Sequence, residues 1–105
     1  MQPEILILGA GLMGRVAAHF FVHHPEGPYK VRLADLSRGA VDEAAAWLNS
    51  EHVEAIVVDV RRDESLDKAL SGVKVCQSCV PYFLNPTIAR ACLANQRNML
   101  TRLNL

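Results

Sequence analysis

The run Glu4-Ile-Leu-Ile-Leu8 passes without a break into Gly9-Ala-Gly-Leu-Met-Gly14, and that junction limits the fold more than any other stretch of the chain. A continuous series of apolar residues suits a strand buried on both faces of a parallel sheet. Glycines at this spacing suit a tight turn from such a strand into a helix. A strand of this kind reaches its parallel neighbour only through a crossover, normally a helix, so the remaining sequence is expected to alternate strand and helix.

It does. Met13, Val16, Ala17, Phe20 and Phe21 recur at three- and four-residue spacings ahead of the turn-rich Pro25-Glu-Gly-Pro28, which predicts a helix with an apolar stripe. A second strand is expected from Tyr29 to Ala34, followed by a helix with Ser37 as N-cap and Val41, Ala44, Ala45 and Leu48 along one face. A third strand spans Glu54 to Val58. A short helix capped by Asp63 or Ser65 and closed by Gly72 carries Leu66, Ala69 and Leu70. The fourth strand is read from Lys74 to Val80. Asn85-Pro86 fits an N-cap followed by proline at the first helical position, with Ile88, Ala89, Cys92 and Leu93 as the stripe. A fifth strand, roughly Asn98 to Leu103, ends the chain. Right-handed crossovers then give an α/β fold: a doubly wound, Rossmann-type parallel sheet in the order 3-2-1-4-5, one domain over residues 1–105. A sheet that stops there leaves an open edge, through which a homo-oligomer could form.

Composition narrows the partners. Eleven basic residues balance eleven acidic ones, and without a like-charge run neither nucleic acid nor an anionic membrane surface is the expected partner. No apolar stretch approaches the roughly 20 residues of a membrane span, and Met-Gln-Pro-Glu lacks the pattern of a signal peptide, so a cytoplasmic location is expected. Three cysteines make no disulfide framework. Cys76-Gln-Ser-Cys79 has C-x-x-C spacing, but positions three apart on a strand point to opposite faces, which favours two buried thiols over a redox or metal pair. His19 and His23 lack the intervening glutamate and third ligand of a zinc site, and no metal is expected.

The glycine motif gains weight from its surroundings: a strand leads in, a helix leads out, and Asp35 stands 21 residues beyond Gly14 at the end of the next strand. Such a constellation holds a dinucleotide. Gly9 would permit the turn, Gly11 the approach of a pyrophosphate and Gly14 close helix–strand packing, while the amides of Leu12 and Met13 would meet the phosphates at the positive end of the helix. Asp35 would accept from the ribose hydroxyls; its alternative role is to form the turn and cap the next helix. A carboxylate at that place favours NAD over NADP, although Arg38 in the same loop could pair with a 2′-phosphate, so NADP stays open. Asp59 and Val60, ending the third strand, fall where adenine is expected, with a plain turn as the alternative. Cys79, Val80 and Pro81, ending the fourth strand beside the switch point, should border the nicotinamide side. Arg61, Arg62, Asp63 and Glu64 read as a solvated turn.

Taken together, Ile5 to Gly14, Leu33-Ala-Asp-Leu-Ser37, Val58-Asp-Val60 and Ser78-Cys-Val-Pro-Tyr82 resemble the N-terminal domain of the saccharopine dehydrogenase-like family, which includes lysine dehydrogenase. The resemblance runs to about Leu93, and its Ser-x-Val-Pro-Tyr segment with the following Asn-Pro is more distinctive than the glycines. It implies a nicotinamide-dependent oxidoreductase acting on an amino acid or its imine adduct. It also implies that Ser37 and Arg38 join Asp35 at the adenosine ribose, and that a second domain, absent from these residues, supplies the substrate pocket. No residue here is expected to be the catalytic acid or base, and the isolated chain is expected to be inactive. A nucleotide-sensing regulatory module without chemistry would share the glycines and Asp35. A methyltransferase fits less well, since Leu8 stands where that class usually carries an acid.

Overall fold

The computed structural model describes residues 2–95 and 98–101. Its elements follow in the order β1 (Ile5–Leu8), α1 (Leu12–Val22), β2 (Val31–Asp35), α2 (Arg38–Leu48), β3 (Val53–Val57), α3 (Asp63–Leu70), β4 (Val75–Ser78), a 3-10 turn at Tyr82–Leu84, α4 (Asn85–Ala94) and β5 (Asn98–Thr101). The strands form one parallel sheet, ordered β3-β2-β1-β4-β5. Residues 102 and 103, the expected end of the last strand, lie outside the described residues.

β1 is buried along its whole length, and alternate residues feed two cores. Ile5 and Ile7 join Val31, Leu33, Ala18, Val41 and Leu48 beneath α1 and α2. Leu6 and Leu8 join Ala34, Cys76, Leu66, Leu70, Ile88 and Cys92 beneath α3 and α4. Cys79 packs against the first cluster and Cys76 belongs to the second, so the C-x-x-C thiols do face opposite ways. Burial pushes the Cys76 thiol well above its ordinary range, helped by the neighbouring Cys92, and burial raises Cys92 in turn.

Register brings the ligand end together. Leu8 pairs with Ala34 on one side and Ser78 on the other, so the carboxyl ends of β1, β2 and β4 open at one level. From β1 the chain winds outward through β2 and β3, then returns to β4 on the opposite side. This reversal leaves a crevice above β1.

Four local expectations need correction. In α1 the buried residues are Gly14, Ala18 and Val22; of the expected stripe, Ala17 and Phe21 pack partly buried against the first core, whereas Met13, Val16 and Phe20 are exposed. Gly14 lies against the Gly9 carbonyl so closely that a Cβ there would overlap it, and this contact turns the positions four and eight residues later toward the sheet. β4 ends at Ser78 rather than Val80; Cys79 still donates its amide to the Leu8 carbonyl at 2.7 Å, after which the chain turns. Asn85 is the first residue of α4 and Leu84 its N-cap, because the Asn85 side chain is engaged elsewhere: the Ser78 hydroxyl donates to Asn85 Oδ1 at 2.7 Å. Finally, α3 is preceded by Arg62, and Ser65 instead accepts the Asp59 amide on its hydroxyl at 2.9 Å. Among the described residues no helix is long and apolar enough to cross a membrane.

Candidate functional site

The glycine loop is built by two close approaches. Gly9 has φ +105° and sits under the end of β4, where an added Cβ would meet the Cys79 carbonyl oxygen at 2.7 Å. Only glycine takes that conformation without strain, and its own amide donates to the Ala34 carbonyl at 2.7 Å. Gly14 is required by the contact with Gly9 just described. Gly11 differs from both: a Cβ there would have no neighbour within 4 Å. Among the described residues, packing gives no reason for glycine at position 11, and the space above its backbone is open. Gly11 is the N-cap of α1, without a side-chain cap. The first helical bond runs from the Arg15 amide to the Gly11 carbonyl at 3.0 Å, so the preceding amides of Leu12, Met13 and Gly14 are the donors that a helix start leaves unspent.

Asp35 closes the other side of the loop. Its Oδ2 accepts the Ala10 amide at 2.8 Å and its Oδ1 accepts the Ser37 amide at 2.9 Å. The carboxylate thus joins the glycine turn to the start of α2, so the turn-forming alternative describes a real part of its work. Each oxygen keeps further acceptor capacity for a hydroxyl. Ser37 caps α2 as its sequence position predicted, its Oγ accepting the Ala40 amide at 3.1 Å.

A cleft of about 300 Å³ lies at this end of the sheet. Gly9, Gly11, Asp35, Asp59, Val60, Cys79, Val80 and Pro81 all line it. The other residues singled out in the sequence do not. Leu12 and Met13 stand at the head of α1 with exposed side chains, Gly14 is beneath the loop, and Ser37 is spent as a cap. Arg38 pairs with Asp42 at 3.3 Å and borders a separate surface depression with Arg32 and Glu54. Conversely, Leu36, Arg61, Phe83 and Leu84 line the cleft without having been marked. Arg61 directly follows Asp59-Val60, and that adjacency was the available signal; the charged tetrapeptide around it obscured it. Asp59 Oδ1 accepts the Arg61 amide at 3.0 Å, which fixes the stem of that side chain at the rim.

Residues 5–104 match the family described as the saccharopine dehydrogenase NADP binding domain. The chain belongs to that family. Its sequence is 27% identical over 101 residues, 95% of the chain, to the saccharopine dehydrogenase [NADP(+), L-glutamate-forming] of Schizosaccharomyces pombe. It spans only 21% of that relative's length. The fold superposes with a TM-score of 0.83 on the L-Glu-forming saccharopine dehydrogenase of Saccharomyces cerevisiae, at 22% identity, covering 98% of this chain and 22% of the other. A short-chain dehydrogenase/reductase from Veillonella parvula, solved in complex with NADP, gives 0.73 at 17% identity over 96% of this chain and 47% of that one. At such identities the structural matches establish the Rossmann-like fold alone. Family membership adds nicotinamide dinucleotide binding. The family's description names NADP, where the sequence reading ranks NAD first, and it does not favour the regulatory alternative.

Proposed function

We propose that this chain is the cofactor-holding part of an oxidoreductase that moves a hydride between a nicotinamide dinucleotide and an amino acid or its imine adduct. The observation that carries the reading is Gly11: a glycine that no contact among the described residues requires, at the head of a helix with unspent amides, facing open space at the sheet's switch point. These residues suit a pyrophosphate, because a side chain at position 11 would fill the space that the phosphates need. Asp35 would lie at the adenosine ribose, Asp59 and Val60 at the adenine, and Cys79, Val80 and Pro81 along the nicotinamide side. When bound, the cofactor would supply the hydride chemistry; the chain's own part is to hold and orient it. The substrate class is supported by the family and by the names its relatives carry. The substrate pocket and the proton-transfer group are assigned to polypeptide beyond this domain, since the relatives are several times longer. A cytoplasmic setting accords with this role.

For the form of the cofactor, the family's description supports NADP. A second reading, NAD, rests on Asp35, whose carboxylate would repel a 2′-phosphate. Calorimetric titration of the chain with NADPH and NADH at equal salt tests both. Saturable NADPH binding, tighter than NADH, is the expected result. Tighter NADH would establish the second reading, and a folded chain that binds neither would overturn the function proposed.

A further inference from the structure

We infer that Arg61 is the residue that recognises the 2′-phosphate of the dinucleotide and sets the choice of cofactor form. The inference rests on the cofactor reading above. Two carboxylates, Asp35 and Asp59, line the cleft, and Arg61 is the one cationic side chain among its lining residues. Asp35 cannot swing aside to admit a second anion, because the amides of Ala10 and Ser37 hold both of its oxygens. A phosphomonoester carries between one and two negative charges near neutrality, so its entry beside that carboxylate demands a cation from the protein.

Of the other arginines, Arg62 borders a separate depression with Asp63 and Glu64, and three more are paired with carboxylates. Arg15 pairs with Glu43 at 3.4 Å, Arg32 with Glu54 at 3.5 Å and Arg38 with Asp42 at 3.3 Å. Arg61 makes no ion pair among the described residues. Arg61 is an exposed residue at the cleft, and its backbone is fixed at both flanks. Val60 is buried beside it, its own amide is held by Asp59 Oδ1, and the Arg62 amide donates to the Asp59 carbonyl at 3.0 Å. A planar fork on an anchored stem is suited to two parallel bonds to a phosphate. The sequence offered Arg38 as one group that could pair with that phosphate; its pairing with Asp42 and its position outside the cleft favour Arg61 for the task.

The test is titration of the wild-type chain, Arg61→Ala, Arg38→Ala and Arg62→Ala with NADPH and NADH, with a thermal melt of each variant to confirm folding. Arg62 borders a separate depression with Asp63 and Glu64 and serves as the charge-matched control. Arg61→Ala should weaken NADPH by about tenfold or more and NADH by less than about twofold, while Arg62→Ala changes neither. Equal loss of both nucleotides in Arg61→Ala would overturn the inference in favour of stacking on the adenine. Loss of NADPH in Arg38→Ala instead, or no change in Arg61→Ala, would overturn it as well. A wild-type chain that binds NADH but not NADPH refutes Arg61 while leaving dinucleotide binding intact; binding of neither refutes the function itself.

Discussion

Three glycines of one motif answer to three different demands, and mutation should separate them. Ala at position 14 would overlap the Gly9 carbonyl, so Gly14→Ala should cost about 1–3 kcal/mol or more through overpacking, read as a lower urea midpoint. Gly11 has φ −72° and open space above it, so Gly11→Ala should remain folded, with a loss of about 0.5–1 kcal/mol at the N-cap. Its affinity for NADPH should nevertheless fall by about tenfold or more. A Gly11→Ala chain that binds as tightly as wild type would remove the main support for the pyrophosphate site. The places of Gly9, Gly11, Asp35 and the strand-end residues at the cleft were legible in the sequence because each sits at a fixed offset from a strand. Arg61 was not, since a loop side chain's direction depends on the Asx turn of Asp59, which has no periodic signature.

Elements were legible where a single face is buried and misread where a contact from elsewhere sets the rotation. Val41, Ala44 and Leu48 of α2 are buried as their spacing predicts. In α1 the apolar spacing pointed to Met13, Val16, Ala17, Phe20 and Phe21; Ala17 and Phe21 reach the core, yet the Gly14 contact sets the rotation and leaves Met13, Val16 and Phe20 exposed. The link between β4 and α4 was likewise hidden, because Asn85 reads as a cap and acts as a tether. Its acceptance of the Ser78 hydroxyl joins the two segments that make the family resemblance distinctive. Ser78 is 2% exposed, so Ser78→Ala leaves its partner short of a donor and should cost about 1–2 kcal/mol. A double-mutant cycle with Asn85→Ala should return a coupling of about 1 kcal/mol; additive losses would mean that the two groups act separately.

Across the whole molecule, the order of the sheet and its two cores follow from the alternation of strand and helix alone, which is why the fold was readable from the sequence. The cores also carry a pH dependence. Cys76 stays protonated in the folded chain above its ordinary value of 9.0, whereas the unfolded chain ionises there. The unfolded state then binds fewer protons, so the stability contributed by the neutral thiol is complete below about pH 9 and is lost progressively as pH rises toward the folded value. The slope should approach about 1.4 kcal/mol per pH unit for this thiol. Denaturation at pH 8 and pH 10 should show it, and Cys76→Ala, though less stable throughout because of the cavity it leaves, should show a shallower slope. The double grip of Asp35 has a consequence for redesign. On the proposed cofactor placement, charge beside the ribose and the shape of the glycine loop are encoded in one side chain, so a substitution there to exchange NADP for NAD, or the reverse, would edit the scaffold along with the preference. If Arg61 takes the role proposed for it, recoding should begin at position 61, where the side chain would contribute charge and little architecture.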